Sequence, residues 1–183
     1  MTDFLPSDYK EEKSGYAKLE EGENRFRILS SAIVGWEYWN ENNEGARKPI
    51  RKRLTEDLII GEIQEPDTVR KFWAFVVWNY KQETIQILEL TQKSIKNAIL
   101  SLIKNPKWGS PVNSYDIVII RQGTDKNTKY SVTPDPREPT TDKILNEYNK
   151  TYINLDALFR GEDPFLPTIR NVKEDISPDE IPL

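Results

Sequence analysis

Residues 71–90 read KFWAFVVWNYKQETIQILEL, a stretch that leaves the chain few choices. An aromatic and β-branched run, a short polar break at 81–83 and a second apolar run form the pattern of two strands joined as a hairpin. Parity divides the first strand. Phe72, Ala74, Val76, Trp78 and Tyr80 make an unbroken apolar series suited to a core. The alternate series, Lys71, Trp73, Phe75, Val77 and Asn79, places aromatic rings between polar ends. A flat ring at the water boundary can stack a nucleobase of any identity, so Trp73 and Phe75 are expected to form a stacking platform. The competing expectation is that the C-terminal part of the chain or a second subunit covers both rings.

Upstream, NRFRILS alternates as a strand does, with Phe26 and Ile28 on one side and Arg25 and Arg27 on the other. The two guanidinium groups are expected to point away from the core and to meet phosphates or bases. Gly35, just before WEYW, is expected to let a long strand bend. Residues 40–70 are polar and mixed and read as a long excursion between strands. Within it, ARKPIRKR concentrates Arg47, Lys48, Arg51, Lys52 and Arg53, with Pro49 discouraging a helix. The segment is expected to be a flexible basic loop that clamps a polyanion and releases its counterions. Trp36, Tyr38, Trp39 and Trp108 are further stacking candidates.

Downstream, QKSIKNAILSLIKNP sets Ile95, Ala98, Ile99, Leu102 and Ile103 on one helical face, and Asn105-Pro106 stops the helix. YDIVIIRQG and TKYSVTP form a second hairpin around residues 123–127. The order is strand, long loop, strand, strand, helix, strand, strand. A mainly β fold follows: an OB-fold, the five-stranded Greek-key barrel with one helix between strands three and four, over residues 1–135. Residues 136–170 read as a helical appendix, with Ile144, Leu145, Tyr148 and Tyr152 at helical spacing and another turn at NLDALF. It is expected to pack on the barrel or on a second subunit. Residues 171–183 read as a disordered acidic tail.

Charge follows this division. The net charge of −4 averages a basic middle, with 17 basic and 13 acidic side chains over residues 22–134, and two acidic ends. Cysteine and histidine are absent from the sequence, which removes disulfides, a thiol nucleophile, an imidazole base and the usual zinc ligands. A reducing cytoplasm suits such a chain. It shows no leader-like start and no run near the ~20 apolar residues of a membrane span, so neither secretion nor membrane insertion is expected. Phosphate-binding loops, dinucleotide turns and hydroxyl–imidazole pairs are likewise missing, so neither catalysis nor a cofactor is expected. Glu62, Glu65 and Asp67 read as solvated loop charges and not as a cation site.

The chain ends in DEIPL. Asp179, Glu180, Ile181, Pro182 and Leu183 resemble the carboxyl-terminal tip of bacterial single-stranded DNA-binding proteins, typically Asp-Asp-Ile-Pro-Phe, with leucine standing where phenylalanine is usual. NRFRILS, KFWAFVVWNY and YDIVIIRQG also resemble the body of single-stranded DNA-binding proteins encoded by bacteriophages, over roughly residues 1–135. The resemblance implies a non-enzymatic protein that binds and protects single-stranded DNA without strong sequence preference during replication, recombination and repair. It implies a barrel that holds the strand and a tip that recruits replication and recombination proteins, in the cytoplasm of a bacterial host if the protein is phage-encoded. An apolar end in a small pocket, a carboxylate on an Arg or Lys and steering by neighbouring acids would give the tip its grip. A homo-oligomer is compatible with this reading. The alternative is a non-catalytic interaction or assembly module with an OB-like barrel that never touches nucleic acid.

Overall fold

Alternating and doubly apolar runs produce seven antiparallel strands in the computed structural model, which describes residues 4–167. They are β1 (Gly22–Ile28), β2 (Ile33–Glu41), β3 (Arg47–Arg53), β4 (Arg70–Asn79), β5 (Thr84–Leu90), β6 (Asp116–Gln122) and β7 (Lys129–Pro134). Helix α1 (Lys93–Lys104) follows β5, and helix α2 (Asp142–Lys150) follows β7. A 3-10 turn, Leu155–Arg160, comes next. The tail at 171–183, with its tip, lies outside the described residues.

The expected hairpin is present: β4 pairs with β5 from Trp73 opposite Leu90 to Asn79 opposite Thr84. On its other edge β4 is shared. Its second half pairs with β1 and its first half with β2. β1 continues the sheet through β6 to β7, and β2 carries β3 at the far edge. Among the described residues no ladder joins β5 to β7, so the sheet stays open.

Both faces of β4 are buried, which the parity division did not foresee. Phe75 and Val77 join Phe26, Ile28, Leu88, Leu90, Ile117 and Ile119 on one side, where α1 inserts Ile95 and Ile99. Phe72, Ala74, Val76 and Trp78 face the opposite side. There the appendix covers them, Ile144 of α2 meeting Val76 and Trp78, and Leu158 meeting Phe72 and Ala74. The appendix therefore covers the series assigned to the core, while the series assigned to solvent makes the inner core. A strand sandwiched in this way loses the in/out alternation that parity relies on.

The excursion expected at residues 40–70 is mostly ordered differently. β2 turns through residues 42–46 into β3, so the basic segment is a strand and not a flexible loop. β3 is an edge strand, and Pro49, opposite Trp39, takes a place that proline can occupy there without breaking a central ladder. Beyond it, the side chain of Asn40 donates to Glu62 O at 2.8 Å and that of Gln64 accepts from Glu41 N at 2.9 Å, holding the remaining loop along β2.

Gly35 is inside β2 and serves close packing. A Cβ there would sit 2.4 Å from Lys52 O, 2.8 Å from the Phe159 ring and 2.9 Å from the Phe72 ring. Backbone and two rings cannot all withdraw. Gly35→Ala should cost about 1–3 kcal/mol of stability by overpacking, read as a lower urea midpoint. A midpoint within error of the unsubstituted protein would mean that the β2, β3 and appendix junction is looser than described.

Candidate functional site

β3 has seven positions, and its register against β2 sorts their charges. Arg47, Arg51 and Arg53 share one face, and Lys48 and Lys52 the other. On the arginine face every guanidinium has both an acid and a ring. Arg47 pairs with Glu65 and lies 5.1 Å from the Trp39 ring centroid. Arg51 donates to Glu37 at 3.0 Å and to Glu89 at 2.9 Å, and lies 5.6 Å from Phe72. Arg53 meets Asp156 at 3.3 Å and lies 4.5 Å from Phe159 of the appendix. Planar guanidinium groups suit this combined stacking and pairing. These three arginines fasten the sheet edge to what covers it.

Arg25 and Arg27 are committed in the same way. Arg27, expected to point outward, is only 2% exposed and donates to Asp116 Oδ1 at 2.5 Å and to Glu138 O at 2.7 Å. Arg25 is half-exposed, yet it binds Asp116 at 2.8 Å and Asp135 at 3.1 Å and lies 4.8 Å from the Tyr80 ring. Tyr80 completes the cluster by donating its hydroxyl to Asp116 Oδ1 at 3.0 Å. Burial, followed by the Asp116 charge, pushes the Tyr80 phenol above its ordinary range. One buried carboxylate thus gathers two cations and a phenol. The strand alternation was correct, but the partner supplied by β6 is invisible in a local reading.

Of the ring candidates, Phe75 is 3% exposed and belongs to the core, and Tyr38 is 4% exposed. Trp39 stacks under Arg47, and Trp108 meets the buried Tyr115 edge-on at 5.3 Å. Trp36 and Trp73 remain. Both lie on the lysine face, where Trp36 stands opposite Lys71 on one side and Lys52 on the other. Lys71 Nζ lies 5.2 Å from the Trp36 ring centroid.

This face opens into a trough of about 510 Å³ between β2, β4 and α1. Trp73, Val34 and Leu54 give it apolar surface, and Leu100 of α1 adds to one wall. Its charged lining consists of Arg70, Lys71, Lys93 and Lys96, with no acid among the described residues. Lys48 and Lys52 extend the same face along β3, and neither has an ion pair among the described residues. The sequence reading missed Lys71, Lys93 and Lys96 because only the β4–α1 junction brings them together. One sign was available: the first turn of α1 contains lysines and no acid, contrary to the preference of the helix dipole.

Such crowding leaves a trace on Lys96. Burial, then the neighbouring charges of Lys71 and Lys93, lowers its pKa below the usual lysine range. An anion held in the trough would offset the repulsion and favour the charged form. No family model, curated protein or solved structure matches this chain. Among the described residues no group of three metal-ligating side chains forms, and no helix is long and apolar enough to cross a membrane.

Two measurements check these assignments. Asp116→Asn should destabilise the protein by about 3 kcal/mol, the penalty for leaving a buried cation without its partner, seen by urea unfolding. A loss below about 1 kcal/mol would remove the structural role given to Arg27. In a side-chain NMR titration, Lys96 should deprotonate before an ordinary lysine and move upward when an oligothymidylate is added. Unchanged titration would show that the anion settles elsewhere.

Proposed function

We propose that this protein binds single-stranded DNA with little sequence preference, as a non-enzymatic, OB-type coat protein. The observation that carries the reading is the acid-free basic trough with Trp73 in its lining and Trp36 beside it. Lysines attract the phosphates and hold them without fixing their geometry, and indole faces stack on any base. β1 and the first half of β2 run along one edge of β4, as a single bent barrel strand would. The pairings of β4 with β5, β1 with β6 and β6 with β7, together with a helix after β5, support an OB-type order with the β2–β3 hairpin extended from it. Duplex DNA buries its base faces and gains nothing from the tryptophans, so unpaired strands are preferred. The tip, Asp179, Glu180, Ile181, Pro182 and Leu183, is proposed to dock replication and recombination enzymes.

Binding of an oligothymidylate, followed by tryptophan quenching, tests this reading. If Lys48, Lys52, Lys71, Lys93 and Lys96 each meet a phosphate, log K should fall with log salt at a slope of about −3.5. Each lysine-to-alanine change should remove about 0.7 from that slope. Trp73→Ala should cost about 1–3 kcal/mol of affinity, whereas Arg51→Ala should cost stability and leave the slope intact. Equal affinity for duplex and single strand, or no dependence on salt, would favour the protein-interaction module instead.

A further inference from the structure

Trp73 lines a second cavity besides the trough. This one, of about 200 Å³, lies between the β1–β2 connection, β4 and the C-terminal half of α1. Its walls are apolar: Ile28, Phe75, Ile99, Ile103 and Val112. An apolar cavity of about 150 Å³ accepts a benzene ring, so this one has room for one flat heteroaromatic ring system. Polar groups of the right kind are present. Ser31 and Ser110 are exposed residues in its lining, and the Ser31 hydroxyl has no partner among the described residues. Ser30, by contrast, is occupied, donating to Ser31 O and accepting from Val76 N.

The two cavities lie along one helix. Lys93, Lys96 and Leu100 line the trough, and Ile99 and Ile103 line the apolar cavity. At 1.5 Å per residue this wall runs for ~15 Å from Lys93 to Ile103. Cations therefore lead directly, past one indole, into an open-mouthed apolar recess. A polymer with a charged backbone and flat, largely apolar side groups matches both halves at once.

We propose that the cavity is a nucleobase pocket: one base of the strand held in the trough inserts beside Trp73, while its phosphates remain on the trough lysines. The proposal rests on the single-strand reading and adds a defined anchor to it. Hydroxyls donate and accept equally well, so Ser31 and Ser110 can serve the edge of any base without selecting among them. Insertion at one site also sets the strand in a register that stacking on an open surface would leave sliding.

Ala32, exposed in the cavity lining, gives a way to fill it without entering the core. In the full chain, Ala32→Trp should weaken oligothymidylate binding about tenfold. It should leave binding of an abasic oligomer of equal length unchanged, since that probe presents only phosphates and sugars. Independently of whether this variant folds, the methyl resonances of Ile99, Ile103 and Val112 in the unsubstituted protein should shift with oligothymidylate and stay still with the abasic oligomer. Unmoved methyls during salt-dependent oligothymidylate binding would overturn the pocket and leave the trough standing. Equal shifts with both probes would also overturn it, by showing a response to phosphate alone. If neither oligomer binds, both readings fall together.

Discussion

Everything in this fold hangs on β4 being covered on both faces over most of its length, beyond its first two residues. A strand with apolar side chains at nearly every position gains most when both faces are covered, at roughly 25 cal/mol per Å² removed from water. That demand recruits α1 on one side and the appendix on the other. It also makes β4 the shared partner of β1, β2 and β5. The trough exists because α1, pressed onto the inner face, stops short of covering the first residues of β4, where Lys71 and Trp73 emerge.

Charge is arranged by the same two-sidedness. Cations on the covered face must be paired, since an isolated buried charge costs several kcal/mol. Arg27 and Arg51 accordingly meet Asp116 and Glu37 with Glu89. On the open face Lys48 and Lys52 have no ion pair among the described residues, and lysine, strongly hydrated, is well suited to that role. The alternation of arginine and lysine along β3 is the division between paired and unpaired cations, written residue by residue.

Much of the fold was legible. The β4–β5 hairpin, α1, the β6–β7 hairpin and the short helix of the appendix follow from periodicity and turn residues. What failed was reading the segment ARKPIRKR as a loop on the strength of its composition. Once it is a strand, parity separates Arg47, Arg51 and Arg53 from Lys48 and Lys52, and only the lysines stay with the candidate site. Trp36 and Trp73 also survive, whereas Phe75 is drawn into the core because α1 needs a surface to pack on. Asp116 and the trio Lys71, Lys93 and Lys96 could not be found locally. Their meaning comes from partners far along the chain, which only the tertiary pairing supplies.

Pro49 in β3 has a consequence for how copies of this chain live together. An outermost strand offers its free amides and carbonyls to any passing strand, and charges with a proline are among the means that discourage such docking. β3 combines five cations with that imino acid. The missing amide of Pro49 and the two lysines left without ion pairs, Lys48 and Lys52, would therefore disfavour fusion of the sheets of neighbouring copies, which would remain separate molecules at high local density.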